Sequence, residues 1–164
     1  MLRMTIFACN LKENMTKINF YHLTTTPMGK ALPKLLEKVI SGGNRVVVKA
    51  PDDVQVEQLN KELWTYTTKF FLPHGSAEDG FEKDQPIYLT ANNNNPNGAN
   101  IFAFINDTEV DNIGGFERYI YMFDGNDESQ VAIARKRWKE YKSAECDLTY
   151  WKQNKKGGWE QGES

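Results

Sequence analysis

Two cysteines and two histidines are all the thiol and imidazole that this 164-residue chain carries. Cys9 and Cys146 form no CxxC pair, and neither His22 nor His74 stands in a His/Cys/carboxylate grouping with zinc-ligand spacing. This excludes a small disulfide scaffold and a sequence-local metal site, and the two cysteines read as free thiols of a reducing compartment. No apolar run approaches the roughly 20 residues that cross a bilayer. Met1–Asn10 is too short and too polar for a secretory signal, so a cytoplasmic chain with no membrane contact is expected. An excess of charge of one sign is missing too. The net charge is −2, so general adhesion to nucleic acid is not expected and any use of positive charge must be local.

Phosphate-binding glycines are also lacking. After the first predicted strand the sequence reads HLTTTPMGK, His22–Lys30, with neither GxGxxG nor GxxxxGK[ST]. Without those glycines the backbone cannot come close to a pyrophosphate at a helix start. There is no GxSxG elbow. His74 follows Pro73 in a turn with no acid or nucleophile beside it and reads as structural. Asp52-Asp53 is better explained as a helix start than as a paired acid site. No catalytic residue, cofactor or metal is expected.

What the chain has is an ordinary soluble composition, 40% hydrophobic and 26% charged, at a length that suits one domain with a sizeable core. Lys17–Leu23 (KINFYHL) reads as a strand, Met28–Ile40 as a helix with Pro33 early if it begins near residue 31, and Gly42-Gly43 as its end. Arg45–Ala50 is a buried parallel strand and Val54–Tyr66 a helix with Val56, Leu59 and Leu63 on one face. Pro86–Ala91, Asn100–Asn106, Phe116–Phe123 and Asp147–Gln153 read as further strands or apolar segments. The β-α-β-α opening predicts an α/β fold: a single open, mainly parallel sheet with helices on both faces, Rossmann-like without a nucleotide-binding loop. Residues 1–14 are a leader or extension, 15–154 the domain, and 155–164 a flexible tail.

One helix stands out, FDGNDESQVAIARKRWKEYK from Phe123 to Lys142. Asp127 caps it, and Glu128 is favourable at its positive end. Val131, Arg135, Trp138, Lys139 and Lys142 fall on one stripe. An aromatic among cations suits a ligand that is both acidic and aromatic. The alternative is a solvated basic face with Trp138 turned into the core.

Four segments carry a resemblance: NFYHL, GGNRVVVKAPDD, LNKELWTYTTKFFLPHG and FDGNDESQVAIARKRWKEYK. Together they resemble the chi subunit of bacterial DNA polymerase III holoenzyme, over about Met15 to Gln153. The resemblance implies a non-catalytic clamp-loader accessory subunit with a nucleotide-binding-like fold that binds no nucleotide. Its implied partners are the psi subunit and the acidic C-terminal tail of single-stranded DNA-binding protein, which ends in proline-phenylalanine after several aspartates. DNA is then contacted only indirectly. By position, Trp64 matches the family's tail-surface tryptophan, Arg135 the arginine that meets the terminal carboxylate, and Lys139 the lysine that attracts the aspartates. Trp138 stands where the family often has tyrosine. A family lysine falls on Val131, a loss for which Lys142 or Arg137 would compensate. Phe71 matches a psi-facing position. The competing reading, a nucleotide-binding α/β protein or an enzyme, lacks its phosphate loop.

Overall fold

Every strand and helix expected between Lys17 and Gln153 is present, to within two residues at its ends, in the computed structural model, which describes residues 15–66, 69, 71–111 and 113–162. The strands are β1 (Lys17–Leu23), β2 (Val46–Lys49), β3 (His74–Ser76), β4 (Ile87–Thr90), β5 (Ile101–Ile105), β6 (Arg118–Asp124), β7 (Asp147–Gln153) and β8 (Trp159–Gln161). The helices are α1 (Met28–Ser41), α2 (Asp53–Thr65) and α3 (Glu128–Ser143), with a short 3-10 turn at Glu82–Asp84. The expected leader, residues 1–14, lies outside the described residues.

Local chemistry sets the helix ends. The Asp52 carboxylate accepts the Gln55 backbone N–H at 2.8 Å, and Asp127 accepts that of Ser129 at 2.9 Å. Both satisfy amides that a helix start leaves without partners. At the end of α1 the Gly42 N–H donates to the Lys38 carbonyl, and Gly43 takes a left-handed φ of 80°. This helix begins at Met28 and not near residue 31, with Lys30 and Ala31 both donating to the Pro27 carbonyl, so Pro33 lies inside it, past the first turn, and is buried.

The sheet runs β3-β4-β2-β5-β6-β1-β7-β8, parallel throughout except for the β7–β8 hairpin. Direction decides faces. Helices α1 and α2 carry the chain toward the β3 edge, and both pack on one face, with Leu32, Leu36, Leu59 and Leu63 against Val46, Val48 and Met122. The segment 106–117 and helix α3 carry it toward the β8 edge, and both pack on the other. A single crossover hand requires this division. The second face is strongly aromatic, with Phe20, Phe102, Phe104, Tyr119, Tyr121 and Phe123 beneath Ala134 and Tyr141 of α3.

Three expectations change. Residues 155–162 are not a loose tail. They form a turn and strand β8, and Trp159 meets Tyr21 edge-on at 5.1 Å. Cys146 is not a free thiol: it is disulfide-bonded, because a disulfide depends on spatial approach and not on sequence spacing. Cys9 lies outside the described residues. Arg137 is turned away from the α3 stripe. Its guanidinium donates to the Asn106 and Thr108 carbonyls at 3.0 and 2.5 Å and lies over the Tyr121 ring at 4.8 Å.

Candidate functional site

Open α/β sheets usually hold ligands where connections leave neighbouring strands in opposite directions. Here that place is the gap between β2 and β5, and the chain fills it. Lys49, buried at the end of β2, donates from Nζ to Asn93 Oδ1 at 2.7 Å and to the Glu109 carbonyl at 2.6 Å. The loop after β1 is closed as well. The amides of Thr24, Thr25 and Thr26 converge as if on an anion, but all three donate to Oε1 of the chain's own Gln153, at 3.2, 2.9 and 2.8 Å.

The open concavity on the α3 face lies elsewhere. It has a volume of about 330 Å³ and lies between α3 and the strands β1, β6 and β7. Its apolar body is made by Phe20, Phe123, Trp138 and Tyr150. Trp138 stands edge-on to Phe20 at 5.0 Å and perpendicular to Tyr150 at 5.8 Å. Such edge-to-face contacts hold the rings at fixed angles along the side of the concavity. The cations at its mouth are Arg135 and Lys139, one turn apart on α3. Both are exposed, and among the described residues neither is in an ion pair.

His22 forms one wall. Its ring lies 4.9 Å from that of Phe123, and its Nδ1 is hydrogen-bonded to the Tyr150 hydroxyl. Burial lowers the His22 pKa, and the positive charges of Lys152 and Arg135 lower it further, against smaller opposing effects of Asp124 and the Gly125 backbone. Burial raises the Tyr150 pKa, with Arg135 opposing. Near neutrality both side chains are therefore uncharged, and the fixed charge of the pocket is that of the guanidinium and the ammonium. An aromatic cleft with cations at its rim can take a carboxylate together with an apolar ring. The β6–α3 turn has no room for a side chain: a Cβ at Gly125 would overlap both the His22 imidazole and the Leu23 carbonyl oxygen.

Four residues of the predicted stripe meet here: Val131, Arg135, Trp138 and Lys139. Lys142 is exposed a turn further along α3 and does not line the pocket. Trp64 does not join them. It lies at the end of α2, across the sheet, with its ring 5.7 Å from Phe71 and 4.9 Å from His74. Trp64 is 56% exposed and Phe71 69%, so the two form an apolar patch of their own. Trp64, which the resemblance sets on the same tail surface as Arg135, is thus separated from the α3 pocket. Sequence reasoning missed Phe20, His22, Phe123, Ala134 and Tyr150. Strand alternation in KINFYHL already sets Phe20 and His22 on one side, and DLTYWKQ sets Tyr150 beside Leu148. The pairing of those strands was the missing piece.

The fold is a nucleotide-binding type of sheet in which the chain's own Lys49 and Gln153 fill the two places that usually hold a ligand. The family model described as DNA polymerase III chi subunit, HolC, matches residues 15–149. The chain belongs to the DNA polymerase III chi subunit family. It is 38% identical over 109 residues to a protein named probable DNA polymerase III subunit chi from Rickettsia prowazekii, a match covering 66% of each chain. It is 28% identical over 78 residues to DNA polymerase III subunit chi of Pseudomonas aeruginosa, covering 46% of this chain and 54% of that one. The matches thus span about two thirds and about half of those relatives. Among the described residues no helix is long and apolar enough to cross a membrane.

Proposed function

We propose that this chain is a non-catalytic accessory subunit of DNA polymerase III that links the clamp loader to single-stranded DNA-binding protein by holding its acidic C-terminal tail. The observation that carries the reading is the α3 pocket, where Arg135 and Lys139 rim a cleft floored by Phe20, Trp138 and Tyr150. The tail's terminal phenylalanine ring enters the cleft and its carboxylate meets the fork of Arg135. The upstream aspartates run past Lys139 toward Lys142, where attraction is long-range and weakened by salt. The Trp64–Phe71 patch, well separated from this pocket, is the surface offered to a psi subunit.

The competing reading, a nucleotide binder or enzyme on the same sheet, has the interactions of Lys49 and Gln153 against it, since both occupy places a phosphate would need. The test is a titration of the full chain with labelled tail peptide, with and without its terminal phenylalanine, alongside ATP and NAD. Saturable binding of the complete peptide, strongly weakened without the phenylalanine, is expected. Equal binding of both peptides would refute the pocket assignment. Saturable micromolar binding of either nucleotide would refute the choice of class.

A further inference from the structure

A second and larger concavity, of about 680 Å³, lies on the opposite sheet face, between α1 and the β7–β8 hairpin. It exists because α1 packs over β2 and β6, while no described helix follows β7 to cover the β8 edge of that face. One wall is a stripe of α1. Lys30, Lys34 and Lys38 recur every fourth residue, so their backbones step about 6 Å at a time along the helix. Lys156, in the β7–β8 turn, adds a fourth ammonium from the other side. All four are exposed, none is in an ion pair among the described residues, and no carboxylate lines the groove. The floor is aromatic. Tyr21 and Trp151 are register partners on β1 and β7, Trp159 stands edge-on to Tyr21, and Tyr66 closes one end. Trp151, Trp159 and Tyr66 keep part of their surface open to solvent.

A row of evenly spaced cations beside several half-exposed rings matches a polymer that repeats one negative charge and one flat π face per unit. An acidic peptide with one terminal ring matches the smaller α3 pocket, with its two rim cations beside one apolar cleft, better than it matches a row of cations and rings. A flat membrane cannot reach a floor set between a helix and a hairpin. We propose that this groove binds single-stranded nucleic acid, with Lys30, Lys34, Lys38 and Lys156 on the phosphates and Trp151 and Trp159 against the bases. The groove shares no lining residue with the α3 pocket, so the proposal stands apart from the tail-binding reading. A net charge of −2 does not oppose it, because the four lysines act as a local field.

The test is fluorescence anisotropy of a labelled oligothymidylate of about 15 nucleotides with the full chain. Neutralising four phosphates at a slope of about −0.7 each gives roughly −2.8 in log K against log salt, or about 50-fold weaker binding between about 50 and 200 mM salt. Replacing Lys30, Lys34 and Lys38 together by Gln should weaken binding at low salt at least about 10-fold and take about 2 off that slope. Trp159→Ala should weaken it about 10-fold at every salt concentration. Should Trp159→Ala lower the melting temperature, the lysine variant, changed only at exposed positions, still decides. Arg135→Ala should bind the oligonucleotide like the parent. An acidic peptide of equal charge and a duplex of equal length serve as competitors, and both should compete poorly. The proposal is overturned by no saturable binding at low salt, by binding that the lysine variant retains or Arg135→Ala loses, or by either competitor displacing the single strand at equal concentration.

Discussion

Replacing Arg135 by alanine separates recognition from folding. The side chain is exposed on α3, and among the described residues it is in no ion pair, so its loss should leave stability within about 0.5 kcal/mol of the parent. Its effect on the tail should be much larger. The pocket beside it is lined by Phe20, Trp138 and Tyr150, so a bound carboxylate is partly withdrawn from water and depends on the guanidinium. Leaving that carboxylate without its partner costs on the order of 2 kcal/mol, roughly a 30-fold rise in Kd. Arg135→Lys keeps the charge but not the planar fork and should fall between the two. Lys142→Ala, outside the pocket, should cost about 1 kcal/mol or less, and that loss should shrink as salt rises. The assay is anisotropy with labelled tail peptide at low and high salt, with thermal melts of each variant. A second readout is independent of the peptide. Burial and Lys152 lower the His22 pKa, and Arg135 lowers it too. In Arg135→Ala the His22 pKa measured by NMR should therefore rise. If Arg135→Ala binds the peptide like the parent while folding normally, the α3 pocket is not the tail site.

Trp64→Ala should leave tail affinity within about twofold, because its ring packs on Phe71 and His74 and not in the pocket; a loss as large as that of Arg135→Ala would contradict the separation of the two surfaces. His22 has a folded pKa below its unfolded value, so the unfolded chain binds the extra proton first as pH falls. The stability that neutral His22 contributes is present above its unfolded pKa near 6.5 and is lost as pH falls through its folded pKa. Melts at pH 8 and pH 5 should therefore differ less in His22→Gln than in the parent, and an equal difference would show that the site does not titrate as argued. Gly125→Ala forces a methyl group onto the Leu23 carbonyl oxygen and the His22 ring and should cost about 2 kcal/mol or more, lowering Tm by roughly 4 °C or more. An unchanged melt would mean that the β6–α3 turn has more freedom than its geometry implies.

How much of this was legible in the chain depends on the reach of each signal. Strand β1 was read from KINFYHL and helix α3 from the Asp127 cap and the spacing of its apolar residues, because alternation and capping act within a few residues. The meeting of Val131, Arg135, Trp138 and Lys139 follows from one helix repeat, so four members of the site were visible before any fold was known. The reading of residues 155–162 as a tail failed because what holds Trp159 is a ring on β1, distant in sequence. The disulfide at Cys146 was equally invisible to spacing.

By itself, then, the sequence determined the element order, the open α/β class and the charged stripe of α3. Only the tertiary structure decided which residues face that stripe. Phe20, His22, Phe123 and Tyr150 arrive there because β1 pairs with both β6 and β7, a register set by long-range hydrogen bonding. It also decided that Trp64 is not among them. Helix α2 leaves β2 toward one sheet edge and α3 leaves β6 toward the other, so a single crossover hand places the two helices on opposite faces. No local pattern records that choice, since a helix carries the same apolar spacing whichever side of the sheet it covers.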